Sequence, residues 1–172
     1  INVSPDNRFA LVPDLGIDQV RIYRFDAANA MLTPHTPSAV SLPPGSGPRH
    51  LAFHPNGRFV YVINELLCTM AVFAYDARRG ELKAVESVST LPAGTSVQPG
   101  FSTAEVAVHP SGKFLYGSNR GHDSIVVYAI DARTGRLTPV QHEPTQGRTP
   151  RHFGIDPTGT WLLAEKQASD TV

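Results

Sequence analysis

Cysteine is nearly absent from this chain of 172 residues: Cys68 stands alone. A single thiol excludes an internal disulfide and argues against a cysteine-rich zinc cluster. It is compatible with a reducing compartment, and a cytoplasmic location is the expectation. Net charge is missing as well, with 15 Lys plus Arg against 15 Asp plus Glu. The chain therefore has no global field to draw in nucleic acid or an anionic membrane surface, and neither is expected as a partner. No apolar run reaches the ~18 residues a membrane span needs. Helical periodicity is nowhere sustained. The 14 glycines and 15 prolines are scattered at turn positions rather than pooled in a linker, so no domain boundary is visible. A hydrophobic fraction of 41% is enough for a sizeable core.

What the chain does have is repetition. Pro48 to Glu65 reads PRHLAFHPNGRFVYVINE: an apolar segment, a Pro-Asn-Gly turn and a second apolar segment. β-branched and aromatic residues flanking Asn56-Gly57 predict a hairpin. The pattern returns at Ala104–Gly121 and Arg151–Lys166, and a further copy opens the chain. The copies align without gaps from their turn prolines, Pro5, Pro55, Pro110 and Pro157. Four residues on stands an aromatic each time: Phe9, Phe59, Phe114 and Trp161. At later fixed offsets come Asp26, Asp76 and Asp131, then Leu32, Leu82 and Leu137. A period of about 40–50 residues with four strand-like segments is the signature of a β-propeller blade.

In the second copy the predicted strands are residues 51–54, 59–63, 69–75 and 82–89. The last two are joined by Asp-Ala-Arg-Arg-Gly, matched by Asp-Ala-Arg-Thr-Gly at Asp131–Gly135. There the aspartate caps backbone N–H groups and the glycine supplies a positive φ. The first copy has no glycine in this turn, and Asn29 is the residue expected to go left-handed. The third segment, Ile125–Ile130 (IVVYAI), is wholly apolar, which suits a sheet covered on both faces. The fold class predicted is all-β: a propeller of four-stranded antiparallel blades. Its repeats run over about 1–47, 48–102, 103–149 and 150–172, three and a half blades in all. Propellers close with roughly four to eight blades, so the expectation is a fragment. Two copies pairing to close a seven-bladed ring is the alternative.

Up-and-down topology brings the residues before each first strand, and those after each second strand, to one mouth of the central channel. Five residues before the turn proline stand His50, Glu105 and His152, preceded by Arg49, Ala104 and Arg151. Ten residues after it stand Glu65, Arg120 and Gln167, with His122 close by. Repeat positions that only pack would carry like residues. Unlike ionisable ones at a shared mouth suit acid–base chemistry on an anionic substrate. Arg49 and Arg151 have a competing reading as ties between blades. His54 and His109 read as structural turn residues, and His35 and His142 as surface. Cys68 occupies the slot of Asp18, Asp123 and Asp170 and reads as a tolerated substitution rather than a nucleophile.

These residues also carry a family likeness. GPRHLAFHPNGRFVYVINEL, STAEVAVHPSGKFLYGSNRGHDSIVVYAID and GRTPRHFGIDPTGTWLLAEKQASDTV resemble the lactonase family of seven-bladed propellers, which includes 6-phosphogluconolactonases and 3-carboxymuconate cyclases. The resemblance implies a cleft in which His50, Glu65, Glu105 and Arg120 are catalytic. Arg49, Arg151, His152 and His122, from their places at the shared mouth, are the residues expected to bind substrate, with a packing or loop role as the competing reading of His122. No metal or cofactor is implied. The substrate implied is a small anionic lactone or carboxylate, with the remaining blades or a second copy needed to complete the ring. His50 is the expected base, and Arg120 the group expected to hold the oxyanion or the substrate's anion. Hydrolysis of a lactone is the expected reaction. A muconate-type cycloisomerisation and a purely binding scaffold are the alternatives. The last repeat departs from the family at Ala-Glu-Lys-Gln, Ala164 to Gln167.

Overall fold

The computed structural model describes residues 1–172 and contains strands and turns but no helix. No helix is therefore long and apolar enough to cross a membrane. The first blade comprises β1 (Asn2–Val3), β2 (Phe9–Asp14), β3 (Gln19–Asp26) and β4 (Met31–Ser41). The second comprises β5 (Pro48–Phe53), β6 (Phe59–Asn64), β7 (Thr69–Asp76) and β8 (Glu81–Ser89). The third comprises β9 (Ser102–Val108), β10 (Phe114–Arg120), β11 (Ser124–Ile130) and β12 (Leu137–Pro144). A two-stranded sheet of β13 (Pro150–Ile155) and β14 (Leu162–Lys166) follows, and a Lys166–Thr171 bridge begins its next pairing. Each sheet is an antiparallel meander in chain order. The first strands of successive blades touch, β5 against β9 and β9 against β13, and so line the inner wall.

Strand β6 shows why the sequence stacks this way. All six of its residues are buried, and alternate side chains face opposite ways. Val60 and Val62 join Phe9, Leu11, Val20 and Ile22 of the first blade. Phe59, Tyr61 and Ile63 join Val106, Leu115, Val126 and Tyr128 of the third. Each such fully buried side chain contributes about 1.5–3 kcal/mol. The unbroken apolar run is thus the mark of a sheet with a blade on either side.

Asp76 and Asp131 accept the N–H groups of Arg78 and Arg133 at 2.9 and 2.8 Å, as the turn chemistry requires. Gly80 and Gly135 take φ of +66° and +75°. In the first copy the left-handed residue is Ala30 (φ 52°), not Asn29. Asn29 instead donates its side-chain amide to Asp26 at 2.8 Å. The turn's register outweighs residue preference, because Ala30 holds the place of Gly80 and Gly135. A Cβ on Gly135 would clash with the ring of Phe59. Gly135→Ala is therefore expected to cost the full-length protein about 1–3 kcal/mol by overpacking and backbone strain. An unchanged denaturant midpoint would contradict this.

The histidines of the turns and outer strands act between blades. His54 is buried. Its Nδ1 accepts the Asn56 N–H at 3.0 Å, which leaves Nε2–H to donate to the Gly112 carbonyl at 2.9 Å. His109 repeats the arrangement with Ser111 and Gly159. Both are structural, as their place beside the turn suggested. His35 and His142 are not surface residues. His35 is buried, reaches the Arg79 carbonyl at 2.7 Å and meets Phe9 edge-on. His142 is half-buried and reaches the Thr90 carbonyl at 3.1 Å. The outer strand of one blade lies against turns and loops of its neighbour, so a residue in a polar stretch is covered there.

Cys68 shares a positive φ near 50° with Asp18, Asp123 and Asp170. Asp18 uses this geometry to accept the N–H groups of Gly45 and Gly47, both at 2.7 Å. Cys68 is buried, and burial pushes its thiol up from its ordinary pKa, the opposite of what a nucleophile needs.

Candidate active site

The inner strands begin earlier than the sequence pattern indicates, so Arg49 and His50 lie within β5 rather than before it. The inner strands β5, β9 and β13 each carry a bulge. In β5, Pro48 pairs with Asn64 but His50 pairs with Ile63, so Arg49 is the extra residue. In β13 the shift falls between Pro150 and His152, making Arg151 the extra one. In β9 it falls at Ala104–Glu105, opposite Ser118. A bulge breaks the strict alternation of side chains and re-aims them. Adjacent residues Arg49 and His50 can thereby line one cleft, as do Arg151 and His152. The N–H of Glu105 loses its ladder partner at the bulge and donates to Ser118 Oγ at 2.9 Å instead.

Glu105 is the centre of the site. Its Oε2 lies 3.0 Å from His50 Nδ1 and 2.6 Å from His152 Nδ1. Its Oε1 accepts the Val106 N–H at 3.0 Å. Burial raises the carboxyl's pKa, but the hydrogen bond and charge of His50, with Val106 and His152, pull harder and leave it below its ordinary value. An ionised carboxylate only accepts, so both Nδ1 atoms carry their protons. Nε2 is then the accepting position of each imidazole, and that of His50 lies 3.2 Å from Arg49 Nη1.

Beside this group runs a second one. Glu65 takes Arg49 Nε on one oxygen at 3.1 Å and Arg120 Nη2 on the other at 2.8 Å. Arg49 also donates to the Ala104 carbonyl and Arg120 to the Thr103 carbonyl, both at 2.7 Å. These contacts tie the second blade to the third. Burial, then repulsion by Arg120, lowers the pKa of Arg49, with Glu65 opposing both. The Nε of Arg120 is buried and has no hydrogen-bond partner.

The cleft above Glu105 has a volume of about 530 Å³. Arg49, His50, Glu105, Arg151 and His152 line it, together with Glu165. Of the eight candidate catalytic and substrate-binding residues, five thus share one wall, and Gln167 joins them. Glu65 and Arg120 lie behind that wall, joined to it through Arg49. His122 is apart: its Nδ1 meets Ser124 Oγ at 2.7 Å and its ring packs on Phe101 and His142. Arg49 both lines the cleft and ties the second blade to the third. Arg151 is exposed and bonds only the neutral Gln167 side chain, at 3.2 Å. Sequence reasoning missed Ser118 and Glu165. Both stand at the slot held by Ile63 in the second blade, and that unlike set of residues is the signal that could have found them.

Comparison with known proteins agrees with this architecture. A family model described as "Lactonase, 7-bladed beta-propeller" matches residues 1–172. A 6-phosphogluconolactonase of Formosa agariphila is 39% identical over 99% of this chain and 48% of its own length. One from Bacillus subtilis is 34% identical over 95% of this chain and 45% of its own. The solved structure of a periplasmic gluconolactonase from Pseudomonas aeruginosa superposes with a TM-score of 0.90 at 36% identity, covering 98% of this chain and 47% of that one. The chain thus spans about half the length of the relatives it matches. With four-stranded antiparallel blades, an inner wall of bulged strands and a family match along its whole length, the chain belongs to the seven-bladed β-propeller lactonase family.

Proposed function

We propose that the full-length protein hydrolyses a sugar-acid lactone such as 6-phosphogluconolactone. The observation that carries this reading is the pair of imidazoles hydrogen-bonded through Nδ1 to one buried carboxylate, with arginines on the same cleft wall. The names of the 6-phosphogluconolactonase relatives point the same way. An imidazole held by its Nδ1–H presents Nε2 as a proton acceptor. Water attacks the carbonyl carbon while its proton passes to Nε2. The carbonyl electrons move to oxygen, and an arginine offsets that charge. The intermediate collapses by breaking the ring C–O bond, and the leaving alkoxide takes the proton back. The products are the open hydroxy acid and a regenerated base.

Arg151 and Lys166 are the two cations on the cleft with no carboxylate partner within residues 1–172, and Arg151, whose fork matches a carboxylate or phosphate, is the better suited to the substrate's anion. The test is acid release from 6-phosphogluconolactone and gluconolactone at constant pH, followed beside the absorbance of 3-carboxymuconate. Turnover of the lactones with the muconate unchanged is expected. Loss of muconate absorbance instead would replace hydrolysis with cycloisomerisation, and inertness toward all three would leave a binding scaffold.

A further inference from the structure

We propose that His152 is the residue that exchanges the proton, and that Glu165, across the strand from it, supports its charged form. This rests on the lactone-hydrolysis reading above. The two imidazoles are alike in their bond to Glu105 but unlike in everything else around them.

The guanidinium of Arg49 lies against the ring of His50. Its Nη1 is 3.3 Å from Nδ1 and 3.2 Å from Nε2, near-equal distances that place it beside the ring rather than on one lone pair. An imidazole that takes a proton becomes a cation. At His50 that new charge would form next to a fixed positive one. The Nε2 of His152 has no hydrogen-bond partner within residues 1–172, and no guanidinium lies against its ring; the side chain lines the cleft.

Glu165 is the direct partner of His152 in the β13–β14 ladder. Cross-strand partners project to the same face with Cβ atoms about 4.5–5.5 Å apart. The same slot opposite His50 holds Ile63, which is fully buried, and opposite the bulge at Glu105 holds Ser118, also buried. A packing role calls for residues of that kind. Glu165 instead brings a carboxylate to that slot, pairs with no cation within residues 1–172, and lines the cleft. His152 therefore bonds the carboxylate of Glu105 on β9 and has a second carboxylate on its cross-strand partner in β14, where His50 has one carboxylate and one guanidinium. The other charged groups on the same cleft are Arg49 on β5, Arg151 on β13 itself, Lys166 at the end of β14 and Asp170 in the turn beyond it. Glu165 acts through His152 and is a positioning residue, whereas His152 would touch the reacting water.

The experiment uses the full-length protein, with 6-phosphogluconolactone as substrate and histidine side-chain NMR titrations without it. His152→Gln should lower kcat by about 10²–10⁴-fold with a small change in KM. His50→Gln should lower it at least about tenfold less. Glu165→Gln should keep the fold and move the acid limb of the kcat/KM profile, and the NMR titration of His152, to lower pH by roughly half a unit. The titration of His50 should stay in place. A greater loss in His50→Gln than in His152→Gln would overturn the assignment of the base. A His152 titration unmoved by Glu165→Gln would overturn the role of Glu165. A wild-type protein inert toward lactones would overturn the hydrolysis reading and the proton exchange with it, while the NMR shift would still decide whether Glu165 acts on His152.

Discussion

Glu105→Ala in the full-length protein is expected to lower kcat by about 10²–10⁴-fold while KM changes little. The carboxylate does not contact water or substrate in the proposed step. It holds both Nδ1–H groups, and so sets the tautomer and direction of both imidazoles. Glu105→Gln should fall nearly as far. An amide oxygen in the place of Oε2 can still accept from both imidazoles, but the NH₂ then sits donor against donor on the Val106 N–H, and the negative charge that favours both Nδ1–H tautomers is gone. Glu105→Asp should recover part of the loss, because it keeps the charge and changes only the reach. Steady-state kinetics with circular dichroism as the folding control decides this, and a folded Glu105→Ala protein with wild-type kcat would remove the carboxylate from the mechanism.

The same residue links activity to acid stability. Its folded-state pKa lies below the ordinary value of 4.5. A carboxyl depressed on folding stabilises the protein above its unfolded pKa, and the contribution fades as pH falls through the folded value. Wild type should lose stability relative to Glu105→Gln as pH drops below about 4.5, and match its own neutral-pH margin above that.

The second large effect is expected at Glu65. Its carboxylate neutralises Arg49 and Arg120 together, and the three side chains are only 21%, 16% and 13% exposed. Removing one member of a buried ion pair costs roughly 3–5 kcal/mol, because the partner's charge stays buried without compensation. Partial exposure here reduces that to about 2–4 kcal/mol, which includes the repulsion of the two guanidinium groups left facing each other. Glu65→Ala should therefore shift the denaturant midpoint strongly. Glu65→Ala combined with Arg120→Leu should recover part of the loss, since the second change removes one of the two stranded cations. Equal midpoints for wild type and Glu65→Ala would mean that the Arg49–Glu65–Arg120 group contributes nothing to holding the blades together.

Much of the architecture was legible because it repeats. Turn prolines, aromatics four residues on and aspartates at the outer turns recur at fixed offsets, and local register alone places the strands to within a few residues. The grouping of His50, Glu105 and His152 followed from the same register, since equivalent positions in adjacent blades must converge on one wall. Details that depend on neighbouring blades were not legible. His35 looked exposed in a polar strand but is covered by the turn at Arg79. Asn29 looked like the left-handed residue, but the turn's register assigns that conformation to Ala30. Arg120 looked free to meet an anion, yet Glu65 and the Thr103 carbonyl occupy its guanidinium.

The sequence by itself determined the blade, its strand order and which residue types face the mouth. Those features depend on side-chain alternation and turn chemistry acting over fewer than about ten residues. Only the tertiary structure decided which of the convergent side chains are available. The bulges at Arg49, Glu105 and Arg151 turn neighbouring residues toward one cleft. The ion pairs then divide them, leaving Glu65 and Arg120 behind the wall and His152 open on it. That division rests on contacts between residues in different blades, such as Glu105 with His50 and His152. Such contacts are absent from any single repeat and form only when the blades stack.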